Sequence, residues 1–209
     1  MTEPQRLALE RYAELLERWN TRFNLVSRKD INRLWPRHIL DSLSLSPFLG
    51  HAAVAVDLGT GAGLPGVPLA IAHSTVQWHL LDRNERKIRF LELVVRELGL
   101  ENVTPRVADP AVAIPVGLEG SVDLLVSRAV AAPALLTQLA APMLKETGRL
   151  ALMTGAAPPE VEVEAESTKA AGEPLQEGFQ ELARESVMVP GLDRTHEVTI
   201  IGRARRTTS

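Results

Sequence analysis

The first fifty residues carry apolar side chains at the spacing of helices. Residues 4–19 predict an amphipathic helix, since their large apolar side chains fall near one face. These side chains are Leu7, Leu15, Leu16 and Trp19. A loop through Asn24 and Ser27 follows, and then one or two short helices reach about Ser46, with Pro36 as a break or first-turn residue. The pattern predicts a helical cap over residues 1–50.

From residue 54 onward the pattern changes to short apolar runs that alternate with helical segments. The predicted strands are 54–58, 77–82, 103–107, 122–127 and 149–153. The predicted helices are 67–73, 84–98 and 133–144, and Gly99 ends the second of them. Such alternation predicts a parallel sheet that is covered by helices on both faces.

The last fifty residues follow a different pattern. A helix is predicted near 159–171, followed by strands at 185–189 and 196–201 with a turn at 190–193 between them. A closing hairpin on a parallel sheet resembles the methyltransferase version of the Rossmann fold. We therefore predict an α/β, Rossmann-like class I methyltransferase fold. Its mostly parallel seven-stranded sheet has a C-terminal antiparallel hairpin, and residues 1–50 and 51–209 form one structural unit.

Composition narrows the classes of protein that remain. The chain has no cysteine, which excludes disulfides, cysteine-ligated zinc, iron–sulfur clusters and cysteine nucleophiles. No metal site is predicted. No run of about 18 apolar residues predicts a membrane span, and residues 1–6 lack the apolar stretch of a secretion signal. The expectation is a cytoplasmic enzyme.

The charge is unevenly distributed although its sum is small. The formal net charge is −3, yet residues 1–40 hold eight arginines and lysines against five acidic residues. A local basic surface of this kind binds the phosphate backbone of a nucleic acid. Ordinary solvated helix charge is the alternative, and composition alone leaves both open.

The most informative motif is the glycine-rich run at residues 57–66, which follows the first strand and opens a helix. Ligands of open α/β sheets bind at this edge. The candidate cofactor contacts in the run are Asp57, Gly59, Thr60, Gly61, Gly63 and Leu64. Asp57 would attract the ammonium of S-adenosylmethionine and would repel the pyrophosphate of a dinucleotide.

Two alternatives to a methyl donor remain for this run. Residues 61–66 also match the dinucleotide fingerprint G-x-G-x-x-G, although Pro65 lacks the N–H that a phosphate would bind. The other alternative is a tight turn without any ligand.

Acidic residues end the next two strands. Asp82 is placed to accept hydrogen bonds from ribose hydroxyls, which would suit either cofactor class, or to cap the following helix. Ala108 and Asp109 follow the third strand and are candidates for contacts to an adenine. The pair Asp109-Pro110 is also common in turns.

The motifs together resemble one bacterial family. Residues 37–42 read RHILDS, residues 57–66 read DLGTGAGLPG, and the fourth strand leads into the SRA of residues 127–129, with Asn24-Leu25 upstream. In this order they resemble the RsmG (GidB) family, which methylates N7 of a guanine in 16S ribosomal RNA. The resemblance implies S-adenosylmethionine as cofactor. It also implies the 16S RNA or the small ribosomal subunit as partner. A monomer is expected, since nothing in the sequence demands an oligomer.

Carried over by position, the family's cofactor contacts fall on Gly59, Leu64, the Ala108-Asp109 pair and Arg128. One departure is Thr154, which stands where the family tends to have a lysine after the fifth strand.

Candidate substrate residues cluster around the RHILDS motif. Arg128 is a candidate for guanine recognition or cofactor support, with a simple salt bridge as the alternative. Arg28, Arg37 and His38 are candidates for RNA contact, although His38 could equally be a packing residue that pairs with Asp41.

The available chemistry fits an acceptor that needs no activation. Guanine N7 exposes a lone pair and has no proton to remove, so positioning would suffice. The chain accordingly needs no nucleophile and no strong base. The other hypotheses are a small-molecule methyltransferase, an NAD-binding oxidoreductase, and a binding protein that has lost turnover.

Overall fold

The computed structural model describes residues 1–128, 131–155, 175–192 and 195–204. The helix predicted near 159–171 and the side chain of Arg28 lie outside the described part. None of the helices in the described part is long and apolar enough to cross a membrane.

A seven-stranded sheet in the order β3-β2-β1-β4-β5-β7-β6 forms the centre of the fold. Strands β1 to β5 run parallel, and β7 pairs antiparallel with both β5 and β6. The strands are β1 (Val54–Leu58), β2 (Gln77–Asp82), β3 (Val103–Val107), β4 (Val122–Arg128), β5 (Leu144–Gly155), β6 (Phe179–Met188) and β7 (Thr195–Arg203). The predicted sheet with its closing hairpin is confirmed.

The helices fall into a cap and a set that connects the strands. The cap comprises α1 (Glu3–Phe23), a 3-10 helix (Arg28–Arg33), a π-helix (Trp35–Leu40), α2 (Asp41–Leu43) and a 3-10 helix (Ser46–Phe48). The connecting helices are α3 (Gly66–Ala72), α4 (Glu85–Leu98) and α5 (Pro133–Ala140). Helix α1 begins in a capping box between Thr2 and Gln5 and ends at Asn24, which adopts the left-handed conformation.

Alternating side chains of the strands supply two apolar cores, one on each face of the sheet. In β4, Leu124 and Val126 pack in the core beneath α1, α3 and α4, whereas Leu125 packs in the core beneath α5. Because strand side chains alternate between faces, the two faces of β4 bury nearly continuous apolar surface. This explains why the parallel strands read as apolar runs in the sequence.

The cap is joined to the sheet by polar contacts as well as by packing. The hydroxyl of Tyr12, which is completely buried, donates to the carbonyl of Ala62 at 2.7 Å. The side-chain amide of Gln5 donates to the carbonyl of Ala72 at 2.9 Å and so satisfies the last turn of α3. The glycine-rich run therefore depends on the cap for one of its hydrogen bonds.

Two predicted boundaries were wrong. The helix predicted over 133–144 ends at Ala140, and β5 already begins at Leu144. Ala141 still has helical dihedral angles and donates to the carbonyl of Thr137, but Pro142 has no N–H with which to continue the helix. The strand predicted over 185–189 instead runs from Phe179 to Met188. It is the outermost strand and most of its side chains are exposed, so it lacks the apolar signal of the inner strands.

Removing the hydroxyl of Tyr12 tests how strongly the cap supports the glycine-rich run. We expect Tyr12→Phe to lower the free energy of unfolding by about 1–3 kcal/mol, because the buried carbonyl of Ala62 loses its donor. Urea denaturation followed by circular dichroism and by tryptophan fluorescence would measure this loss. If residues 1–50 and 51–209 form one structural unit, both probes will report the same transition. A loss below about 0.5 kcal/mol would contradict the expectation.

Candidate active site

The buried carboxylate of Asp57 organises the turn that follows β1. Its Oδ2 atom accepts hydrogen bonds from the hydroxyl of Thr60 at 2.7 Å and from the backbone N–H of Gly66 at 2.8 Å. Its Oδ1 atom is buried and has no hydrogen-bond partner among the described residues. Asp57 thus closes the glycine-rich run with one oxygen, while the other is buried without a partner among the described residues.

Burial raises the pKa of Asp57 to about 6. The hydrogen bonds from Thr60 and Gly66 oppose this rise, and so does the positive charge of Arg128. A cation placed at the free oxygen would favour the ionised form further, since an opposite charge stabilises a buried carboxylate.

Two of the predicted cofactor contacts pack inside the protein. Gly63 has a φ of +97°, and a Cβ atom there would lie 2.6 Å from Val67 Cγ2 and 2.7 Å from Leu91 Cδ2. The side chain of Leu64 is buried in the core beneath α1. Glycine at position 63 is therefore required by packing and backbone geometry, and contact of either residue with a cofactor stays a prediction.

Asp82 connects the glycine-rich run to the end of β2. Its Oδ2 atom accepts from the backbone N–H of Gly61 at 2.9 Å, and its Oδ1 atom accepts from the N–H of Asn84 at 2.8 Å. Asn84, and not Asp82, caps helix α4. Each carboxylate oxygen has further lone pairs, so both can still accept a hydrogen bond from a ligand.

A cavity of about 500 Å³ opens where β1, β2 and β3 end. Four predicted residues form part of its wall, namely Gly59, Asp82, Ala108 and Asp109. An aliphatic part of the wall comes from α5, with Leu135, Leu136 and Leu139, and from Ala131, two residues before that helix. Lys87 contributes a positive charge. An apolar cleft with a few polar groups is typical of small-molecule sites.

The loop after β3 contributes backbone more than side chain to this wall. The N–H of Ala108 donates to the carbonyl of Asp82 at 3.1 Å, and the exposed carboxylate of Asp109 accepts from the N–H of Ala111 at 3.1 Å. Asp109 therefore forms the turn that its sequence context predicts, and its contact with an adenine stays a prediction.

Arg128, at the end of β4, lies where the cap meets the sheet. Its Nη1 atom is 3.2 Å from His38 Nδ1 and 3.7 Å from Asp41 Oδ2. Asp41 Oδ1 accepts from His196 Nδ1 at 2.9 Å, and Ser44 Oγ lies 3.1 Å from the other nitrogen of that ring. Asp41 therefore joins the cap to the end of β4 and the start of β7, instead of pairing with His38.

His38 is held as a neutral hydrogen-bond acceptor. A guanidinium can only donate, so Nδ1 of His38 accepts from Arg128 and the ring proton is on Nε2. Burial and the adjacent charge of Arg128 lower the pKa of His38 to about 4. Its buried Nε2 atom lies 3.9 Å from Asp30, which is also 3.6 Å from Arg37.

Sequence reasoning missed the contributions of Tyr12 and His196. Tyr12 lies on the buried face of α1 with Leu9 and Leu16. The helical spacing of these three residues was the signal in the sequence that could have predicted its burial. His196 had no comparable signal, because only the pairing of β7 with β5 brings it to Asp41. Thr154, which replaces the lysine expected from the resemblance, contacts the carbonyl of Glu197 through its hydroxyl at 3.5 Å.

Comparison with solved structures defines the type of fold. The Bacillus subtilis M1A22 tRNA methyltransferase TrmK superposes with a TM-score of 0.55 at 13% identity, over 79% of this chain and 66% of that one. A Corynebacterium glutamicum protein superposes with a TM-score of 0.58 at 17% identity, over 100% of this chain and 93% of that one. Together with the strand order, these matches show a Rossmann-like fold of the class I methyltransferase type and confirm the predicted fold.

Sequence comparison then gives the family. The family described as rRNA small subunit methyltransferase G (GidB) matches residues 5–186, and the chain belongs to it. The enzyme of that name from Stenotrophomonas maltophilia is 38% identical over 195 residues, which cover 93% of this chain and 85% of the relative. The one from Chromobacterium violaceum is 39% identical over 158 residues, which cover 76% of this chain and 74% of the relative.

The raised pKa of Asp57 makes stability depend on pH in a defined direction. The folded-state pKa of about 6 exceeds the ordinary value of about 3.9. The stability that protonated Asp57 contributes is therefore fully present below about pH 4 and is lost as the pH rises through about 6. Because Asp57→Asn stays neutral, the variant should gain about 3 kcal/mol relative to the wild type between pH 4 and 7.

Urea denaturation at several pH values would measure this difference. Asp123→Asn is the control. Although burial opposes it, hydrogen bonds from Lys145, Val54 and Ala53 lower the pKa of Asp123. Asp123 thus stabilises the fold above its unfolded pKa, and its variant should lose stability relative to the wild type as the pH rises. A pH-independent difference for Asp57→Asn would contradict the assignment.

Proposed function

We propose that this enzyme transfers the methyl group of S-adenosylmethionine to N7 of a guanine in small-subunit (16S) ribosomal RNA. It acts in the cytoplasm as a monomer, on the RNA or on the small ribosomal subunit. The observation that carries the proposal is the family match over residues 5–186. The cavity beside Asp82 and the cluster around Arg128 support it.

The residues that line the cavity fit S-adenosylmethionine. Asp57 does not line the cavity, although its neighbours Leu58 and Gly59 do. Its buried Oδ1 atom is an acceptor without a partner among the described residues, and an ammonium that reaches it would satisfy it. Asp82 would accept from the ribose hydroxyls, and the aliphatic wall that includes Leu135 and Leu139 would pack against the adenine. When bound, this cofactor supplies an electrophilic methyl group on a sulfonium.

The other predicted contacts form the surroundings of that cofactor. Gly59 would allow close approach at the end of β1, and Ala108 and Asp109 would border the adenine. Thr60, Gly61, Gly63 and Leu64 would act through the shape of the turn. Arg128 would support the cofactor or bind the guanine.

The site's side chains suit an acceptor that carries no proton. Nδ1 of His38 is already occupied by Arg128, and the pKa of His38 is lowered to about 4 by burial and by that charge. His38 is therefore a poor general base at neutral pH. Guanine N7 needs none, since its lone pair attacks the methyl carbon directly, and the enzyme contributes orientation and exclusion of water.

A small-molecule acceptor is the second candidate. The fold alone permits it, because the same sheet occurs in many methyltransferases. The basic cap favours RNA, since Arg37 is partly exposed beside the buried His38. A contribution of Arg28 to the same surface is part of the proposal.

Methyl transfer to RNA from a strain that lacks this gene tests the proposal. We expect radiolabel from S-adenosylmethionine on a single guanine N7 of the small-subunit RNA, and no label with Gly59→Trp, whose indole would fill the cavity. Binding of S-adenosylhomocysteine, followed by the melting temperature, verifies the cofactor site separately. Stabilisation by S-adenosylhomocysteine without any labelled RNA would reject the RNA substrate and favour a small molecule. Stabilisation by NAD instead would reject the cofactor.

Removing the charge of Asp41 tests whether it positions Arg128. We expect Asp41→Asn to slow single-turnover methyl transfer by about 10- to 100-fold, because a displaced reacting group costs this much. Asp41→Glu should restore part of the rate, since it retains the charge for Arg128 and His196. Asp123→Asn removes an ion-paired carboxylate at the opposite end of β4 and serves as the control. Equal rates for Asp41→Asn and Asp123→Asn would contradict the positioning role.

A further inference from the structure

The carboxyl-terminal end of α1 presents an indole ring between two arginines. The guanidinium carbons of Arg18 and Arg22 lie 6.0 and 5.8 Å from the centre of the Trp19 ring. Phe23 stacks on the same ring, with centres 5.5 Å apart. Trp19 is half-buried while both arginines are exposed. The ring therefore holds two cations at the surface through cation–π contacts.

Other arginines of the same helix are neutralised, and these two are not. Arg6 forms ion pairs with Glu3 and Glu10, and Arg11 pairs with Glu14 at 2.8 Å. In the part of the chain that the structure describes, no carboxylate lies within 4 Å of the guanidinium of Arg18 or Arg22. The helix thus changes along its length from paired to unpaired positive charge.

The segment that follows adds more charge of the same sign. Residues 18–37 contain six arginines and lysines and one acidic residue, in a chain whose formal net charge is −3. That acidic residue, Asp30, faces Arg37 and His38. Lys29 and Arg33 are exposed and have no ion pair within the described residues.

We define the basic aromatic surface as Arg18, Trp19, Arg22, Lys29 and Arg33. This surface and His38, which contacts Arg128, belong to the same cap. Asp30, which lies between Lys29 and Arg33 in the chain, is within 4 Å of both Arg37 and His38. The guanidinium of Arg128 then follows at 3.2 Å from His38. Along the chain, the unpaired positive charge at the end of α1 is thus followed by the segment whose His38 contacts Arg128.

We propose that the basic aromatic surface binds the phosphate backbone of the RNA strand next to the target base. This inference rests on the proposed function and assigns the contact that holds the substrate RNA. Unpaired arginines on an aromatic ring keep their N–H groups free for phosphate oxygens. Phosphate contacts fix the register of the RNA on the protein, and base recognition is left to the site itself.

A matched pair of double variants on one helix tests the proposal. Arg18→Gln with Arg22→Gln removes the unpaired charges, and Arg6→Gln with Arg11→Gln removes the same charge from the paired positions. For the first pair we expect about a tenfold rise in KM for the RNA at physiological salt, with kcat at saturating RNA unchanged. The slope of log affinity against log salt should fall by about 1.4, because two phosphate contacts are lost and each removes about 0.7 on a single strand.

Further measurements separate this result from loss of folding or of the enzyme itself. Melting temperature and affinity for S-adenosylhomocysteine should match the wild type in both pairs. Arg33→Gln leaves the Trp19 stack intact, and it should lower the salt slope by about 0.7. An equal KM and salt slope for the two pairs would overturn the proposal.

Two other outcomes have distinct meanings. A KM that rises for the ribosomal subunit but not for the naked RNA would overturn the RNA contact and show contact with a protein of the subunit. Wild-type enzyme that binds the RNA without methylating it would reject the proposed function. In that event, equal RNA affinity of the two double variants in filter binding would overturn the surface as well.

Discussion

The carboxylate of Asp57 has no access to solvent, and the turn that follows β1 is built around it. Its Oδ2 atom ties the hydroxyl of Thr60 to the N–H of Gly66 and so fixes where α3 begins. A buried carboxylate destabilises the folded state unless hydrogen bonds or an opposite charge compensate its loss of hydration. Here the compensation is incomplete, since Oδ1 has no partner in the described chain. The residual cost makes the site complementary to a cation.

The cap supplies what the turn lacks by itself. The hydroxyl of Tyr12 satisfies the carbonyl of Ala62 and lies close to Gly63, where a Cβ atom would be 3.1 Å from it. From another part of the cap, His38 and Asp41 hold Arg128, whose positive charge opposes the rise that burial causes in the pKa of Asp57. The glycine-rich run and the cluster around Arg128 are therefore both completed by residues outside the strand–helix repeat.

Local and long-range signals separate what the sequence could predict from what it could not. The strand before Asp57, the glycine-rich run and Asp82 were predictable, because each depends on residues adjacent in the chain and on the edge of a parallel sheet. The contact between Asp41 and His196 was not predictable, because it arises from the antiparallel pairing of β7 with β5. The early start of β6 escaped prediction for a different reason. An edge strand with one largely solvated face and few neighbours needs no apolar run.

The position of Arg128 and the protonation state of His38 require each other. If His38 were protonated, both ring nitrogens would be donors, and Nδ1 would repel the guanidinium that lies 3.2 Å away. Burial and that same guanidinium lower the pKa of His38 to about 4, so the neutral ring persists across the physiological range. With Nδ1 occupied, the imidazole cannot accept a proton from a substrate. The hydrogen bond that holds Arg128 therefore removes His38 as a general base. That arrangement suits an acceptor atom which is nucleophilic as it stands, and it is poorly suited to an acceptor that must first lose a proton.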